Sequence, residues 1–186
     1  MNAPHPKLTP ENACVLIIDV QEKLAPVMPA PALENVVKYG RALIGAAREL
    51  KMPVLATEQY PKGLGPTVAA LRDILPNAPL VKMHFSCGAD RAFSAALEAT
   101  RRRQVIIAGM ESHVCVFQTA RDLVALGYEV YVCADAVASR SEEHRRVGLD
   151  LCSKAGAIVT TAETAIFDLL HECGTPAFKK VAPLVR

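Results

Sequence analysis

The chain has 186 residues, about half of them apolar, with few aromatics and no tryptophan. That length suits a single domain with a full hydrophobic core. A formal net charge of +2 gives no electrostatic case for nucleic acid or for an anionic membrane as a partner.

Residues 1–10 read as a flexible tail and 11–186 as one domain. Cys14–Asp19 is a continuous apolar run ending in an acid, the pattern of a strand buried on both faces. After Pro29-Ala30-Pro31, the positions of Val36, Val37, Leu43, Ile44, Ala47 and Leu50 mark the buried side of a helix. Pro53–Thr57 is a second strand. The stretch Glu58–Pro66 carries too much glycine and proline for regular structure. A short helix over about 67–75 and a brief strand, Leu80–Lys82, follow. Asp90 is placed to cap a helix near 90–101, and Arg101–Arg103 puts positive charge at its C-terminus rather than forming a binding patch.

Val105–Ala108 is the fourth strand and Cys115–Leu126 the next helix, stopped by Gly127. Tyr128–Cys133 is the fifth strand. Ser139-Arg140-Ser141-Glu142 fits a capping box before a helix to about Ala155. Ala157–Thr160 and Glu163–His171 complete the alternation, which predicts a three-layer α/β/α fold around a parallel sheet. No internal repeat, linker, signal peptide or membrane-spanning run is apparent, the longest apolar runs being strand-sized. The six cysteines, at 14, 87, 115, 133, 152 and 173, show no CxxC pair and no His-containing ligand spacing. Most read as buried small hydrophobes, and a reducing cytoplasm is the expected compartment.

Sites in such sheets lie beyond the carboxyl ends of the strands. Three reactive side chains fall there: Asp19, Lys82 and Cys115. Singly, each has an ordinary explanation as a loop cap, a solvated lysine or a packed thiol. Together they make a chemistry. At a helix start, unpaired N–H groups and the helix dipole stabilise a thiolate, and Lys82 would strengthen that field. Asp19 would accept the thiol proton, the sulfur would attack a carbonyl, and the N–H of Cys115 with one from the preceding turn would hold the oxyanion. Asp19 would then protonate a leaving amine. His113, two residues from Cys115, is a rival base, and His84 a candidate pocket residue. No glycine fingerprint for a nucleotide is present, and no cofactor is expected.

These residues resemble the isochorismatase-like cysteine hydrolases, a superfamily that also contains nicotinamidases and N-carbamoylsarcosine amidase. The resemblance is carried by Leu16–Gln21, by Lys82 after its short strand, by Gly109–Val116 and by Ala134–Arg140, and it covers the chain after about residue 10. It implies a Rossmann-like six-stranded sheet in the order 3-2-1-4-5-6 and a triad of Asp19, Lys82 and Cys115. It further implies an oxyanion hole from the backbone of Glu111 and Cys115, a cis peptide at Met110–Glu111, and a homo-oligomer acting on a small-molecule substrate. The apolar stretch Ala177–Val185 is a segment that would pack either on a neighbouring copy or back on its own domain.

Two departures narrow the expectation. The stretch Thr57–Gly65 lacks the histidines of metal-binding nicotinamidases, and Glu58 alone cannot hold zinc or iron, so no metal is expected. Isochorismatases proper cleave a vinyl ether by acid catalysis without needing the cysteine, so retaining Cys115 favours amide or other C–N chemistry through a thioester. Gln21, Glu58, Tyr60, His84, Phe85 and His113 are the candidate pocket residues. Two alternatives stay open: a vinyl-ether hydrolase with Asp19 as acid, and an oligomeric interaction protein with a vestigial site.

Overall fold

A computed structural model describes residues 6–185 of the chain. The first apolar run forms β1 (Ala13–Ile18), whose alternate side chains feed two cores. Ala13, Val15 and Ile17 point into one, and Cys14, Leu16 and Ile18 into the other. Neither face meets water, which is why the run is continuously apolar.

The chain continues through α1 (Ala30–Glu49), β2 (Val54–Gln59), the short helices α2 (Pro61–Leu64) and α3 (Ala69–Arg72), and β3 (Leu80–Lys82). Next come α4 (Arg91–Thr100), β4 (Gln104–Met110), α5 (Phe117–Ala125) and β5 (Glu129–Ala138). The last elements are α6 (Glu142–Lys154), β6 (Ile158–Thr160), α7 (Ala162–Leu170) and α8 (Pro176–Val181). All strand pairs are parallel, in the order β3-β2-β1-β4-β5-β6. Helices α1, α7 and α8 cover one face, where Ala42, Leu43, Ile166, Leu169 and Val181 are buried. Phe93 and Leu97 of α4, Ala120 and Leu123 of α5 and Cys152 of α6 fill the other. Successive strands run outward from β1 one way and from β4 the other, so the crevice for a site lies between the carboxyl ends of these two.

Several boundaries differ from the sequence reading for definable reasons. Residues 6–10, expected to belong to a flexible tail, are held down: Leu8 is buried and its N–H donates to Asp168 Oδ2 at 2.8 Å, while Pro6 O accepts from the Tyr131 hydroxyl at 2.7 Å. Residues 1–5 of that expected tail lie outside the described residues. Pro61–Leu64, expected to be irregular, is a helical turn; Pro61 suits its first position, and Gly65 at φ 75° ends it. The helix expected to begin at Cys115 begins at Phe117, because a wide π-type turn, Ser112–Val116, comes first. The fifth strand runs on past Cys133 to Ala138, beyond a break in register: Ile107 pairs with Val132, but Gly109 pairs with Val137. Four residues, 133–136, therefore stand opposite Ala108 alone. Arg145 Nη1 donates to Ala134 O at 2.7 Å, and Asp135 Oδ1 accepts from Ala162 N at 2.8 Å, which anchors the extra residues. The C-terminal apolar stretch folds back on its own domain, with Val181 and Val185 buried in the α1 core. Among the described residues no helix is long and apolar enough to cross a membrane.

Candidate active site

Asp19 leaves the end of β1 with φ 51°, a left-handed conformation that Asp tolerates better than most residues. Its side chain is fully buried. Thr57 Oγ1, from β2, donates to Asp19 Oδ1 at 2.8 Å, and Lys82 Nζ, from the end of β3, donates to Asp19 Oδ2 at 2.7 Å. Lys82 is 1% exposed, so its three donors need acceptors inside the protein. Besides Asp19 it reaches Gln59 Oε1 at 2.7 Å and, at longer range, the carbonyls of Phe85 and His84 at 3.2 and 3.3 Å. Burial, the largest single influence, disfavours the ammonium, but Asp19 by charge and hydrogen bond, together with Cys87 and Cys115, carries the balance the other way and raises the lysine pKa.

Gln21 sets the acceptor for that lysine. Its amide accepts from Gln59 N at 2.8 Å and donates to Gln59 O at 3.0 Å and to Gly65 O at 2.6 Å. Gln59 is thus clamped through its backbone; its own Nε2 donates to Met83 O at 2.9 Å, which aims Oε1 at Lys82.

Cys115 comes from β4. The strand ends at Met110, the Met110–Glu111 peptide is cis, and Glu111 O accepts from the N–H groups of both Val114 and Val116 at 3.1 Å. This winds the turn so that Cys115 projects toward Asp19 and Lys82. Close approach of the strands is a precondition: Gly109 has φ 126°, and a Cβ there would collide with the Ile18 backbone. The surroundings of the Cys115 thiol act against its ionisation. Burial pushes its pKa up first, and Asp19, as an adjacent anion and acceptor, pushes it further; Lys82 opposes both without prevailing. Cys115 sits two residues ahead of α5, inside the π-type turn and nearly buried, and not at the helix start that the sequence pattern predicts. Behind it Cys87, fully buried, is pushed up to about 12 by burial and then by Asp19.

Cys115 opens on a cavity of about 330 Å³ lined by Lys23, Leu24, Val27, Gln59, Leu64, Phe85, Glu111, Val114 and Arg140. Of the expected pocket residues, only Phe85 lines it. Gln21 is buried as the clamp on Gln59. Glu58 turns away and accepts from Thr67 N and Oγ1 at 2.6 and 2.8 Å. Tyr60 is half exposed and lies over Gly63, and His84 contributes its carbonyl to Lys82. His113, the rival base, has Nδ1 3.0 Å from Ser139 Oγ and its ring 4.6 Å from that of His144, outside the cavity lining. Lys23, Thr57, Gln59 and Arg140 were not among the sequence candidates. Arg140 lies within the Ala134–Arg140 stretch that carries the family resemblance, which is the signal the sequence offers for it. Among the described residues no three His, Cys, Asp or Glu side chains stand together as a metal site.

Residues 13–164 match the isochorismatase domain family. The chain belongs to the isochorismatase-domain family. Isochorismatase domain-containing protein 1 of Salmo salar is 37% identical over 181 residues, covering 96% of this chain and 62% of that protein. The chain thus spans about three fifths of that relative's length. Among solved structures, the isochorismatase domain superposes on the MAR1 ribonuclease of Caenorhabditis elegans with a TM-score of 0.89, 38% identity and coverage of 97% and 92% of the two chains. It also superposes on the YcaC gene product of Escherichia coli, an octameric hydrolase of unknown specificity, with a TM-score of 0.89, 28% identity and coverage of 98% and 91%.

Proposed function

We propose that this isochorismatase-family chain is a metal-independent cysteine hydrolase that cleaves a small amide or related C–N substrate through a thioester. One observation supports this above the rest: the thiol that opens on the cavity shares a buried carboxylate, Asp19, with an ammonium that fixes it in place. Because burial and Asp19 both act against the thiolate, proton transfer accompanies attack. Asp19 takes the Cys115 proton as sulfur adds to the substrate carbonyl, and the Glu111 and Cys115 N–H groups hold the oxyanion. Collapse expels the amine, which takes the proton from Asp19. Water, deprotonated by Asp19, then adds to the thioester; on collapse the departing Cys115 sulfur takes that proton from Asp19, and the acid is released. Lys82 keeps Asp19 in register throughout and donates no proton. The cavity sits near the low end of the roughly 300–1,000 Å³ usual for ligand sites, which favours a substrate of few carbons.

The test is ammonia release from a panel of small primary amides, run with wild-type protein, with Cys115→Ala, and after prolonged dialysis against a chelator. Hydrolysis abolished in Cys115→Ala and retained after chelation is the expected result. A vinyl ether cleaved equally well by Cys115→Ala would replace this reading with acid catalysis by Asp19. A short RNA belongs in the panel because the nematode relative is called a ribonuclease.

A further inference from the structure

At the amino ends of β4 and β5, the opposite end of these strands from Cys115, lies a cavity of about 440 Å³. Arg101, Arg102 and Arg103 all line it, and Glu98 is the single carboxylate in its wall. It shares no lining residue with the Cys115 cavity, and the length of β4 holds the two apart by roughly 20 Å. The sequence reading gives these arginines to the C-terminus of α4, yet carbonyls there have other partners. Leu97 O accepts from Thr100 Oγ1 at 2.6 Å, and Glu98 O accepts from Arg101 N at 3.0 Å.

The backbone of the run is pinned while its side chains are not. Arg102 N donates to Thr100 Oγ1 at 3.1 Å, and Arg103 N donates to Asn12 O at 3.0 Å. Among the described residues, no side-chain nitrogen of the three donates a hydrogen bond, and none forms an ion pair. Arg102 is half-buried, and its Nε is sealed from solvent without an acceptor. A buried charged donor left unpaired is costly, and an incoming acceptor recovers that cost. Arg103 rests on the Tyr128 ring, with Cζ 5.1 Å from the ring centroid. Stacking engages the face of a guanidinium and leaves its in-plane N–H donors unspent. Leu97, Leu123 and Leu126 add apolar surface to the same cavity.

We propose that Arg101, Arg102 and Arg103 form a ligand site, separate from the Cys115 cavity, for a phosphate monoester with a small apolar or aromatic body. Three guanidinium groups against Glu98 leave two positive charges, the complement of a phosphate dianion. Their planar forks match phosphate oxygens in pairs, and the leucines cover the body of the ester. An extended nucleic acid fits less well, because the arginines line one concavity rather than a stripe, and the net charge of the chain is only +2. Such a site stands independently of the amidase reading.

The test is isothermal titration of the full chain with phenyl phosphate at pH 8, where the ester is a dianion. Saturable binding is expected, weaker for inorganic phosphate, which lacks the ring, and absent for phenol, which lacks the charge. Arg102→Gln and Arg103→Gln each weaken phenyl phosphate by about tenfold or more, the loss of a charge-assisted hydrogen bond, and Arg103→Lys weakens it less. Arg103 is exposed, so Arg103→Gln decides alone should Arg102→Gln misfold. Arg140→Gln, in the Cys115 cavity, and Arg146→Gln, at an exposed position of α6, bind as wild type does. No binding to wild type, binding undiminished in Arg103→Gln, or binding lost in Arg140→Gln or Arg146→Gln overturns the proposal. A short RNA that binds more tightly than phenyl phosphate and displaces it also overturns it, and assigns the arginines to nucleic acid.

Discussion

Burying the Lys82 ammonium and the Asp19 carboxylate takes two ions out of water at several kcal/mol each, and their 2.7 Å contact, with Thr57 and Gln59 as further partners, offsets that cost. Removing one partner strands the other. Asp19→Asn and Lys82→Met should each destabilise by about 3–5 kcal/mol in urea unfolding, and the double variant by clearly less than the sum. The sign of the pH effect follows from the raised lysine pKa. Its contribution is complete below the ordinary value of 10.5 and is lost as pH rises through the higher folded-state value, so unfolding at pH 8 and pH 11 brackets it. Surroundings that act against the Cys115 thiolate make a second prediction. Alkylation of Cys115 by iodoacetamide, followed by peptide mass spectrometry, should climb with pH to 9 without levelling, slower at pH 7 than at the exposed Cys173. Asp19→Asn should speed that alkylation while slowing amide hydrolysis by about 10²–10⁴. The three side chains of the proposed triad, Asp19, Lys82 and Cys115, were legible as candidates because each stands near a strand end beside a glycine or an apolar run. The thiol's protonation state was not, because it depends on how closely Asp19 and the surrounding wall press on the sulfur, and spacing carries no such distance.

At the scale of elements, the position of Cys115, the proposed nucleophile, depends on how the Ser112–Val116 turn rests on α6. A Cβ added at Gly148 would come within 2.6 Å of His113 N and Ser112 C, both backbone atoms without freedom to rotate away. Gly148→Ala should therefore shift the turn, lowering kcat by tenfold or more, about the loss expected from misplacing a reacting group by a fraction of an ångström to one ångström. Far-UV circular dichroism should stay near wild type, which separates a moved turn from an unfolded chain. Strands and helices were readable wherever an apolar period of two or 3.6 ran uninterrupted, as in β1 and α1. The turn was not, since Gly148 lies some thirty residues from Cys115 in sequence and nothing local announces that they touch. Likewise the pocket candidates Glu58 and Tyr60 were drawn from a segment next to the site in sequence, whereas Lys23 and Arg140 reach it from two other loops.

Across the whole molecule, the strand order and the two-sided core follow from alternation of strands and helices, and the superposition on solved structures bears them out. Assembly is a different matter, written in surfaces rather than in periodicity. The YcaC gene product of Escherichia coli is an octamer, and sedimentation velocity at micromolar concentration would establish what this chain forms. One feature of the sheet bears on how its parts move. Because residues 133–136 interrupt the register between β4 and β5, the inner ladder from Gln104–Ile107 and the outer pairs at Gly109 and Met110 are separate blocks of hydrogen bonds. Opening the outer block does not require breaking the inner one. Amides of Val137–Arg140 should thus exchange with deuterium well before those of Val130–Val132. The rim that carries Arg140 can breathe while the sheet beneath it stays closed.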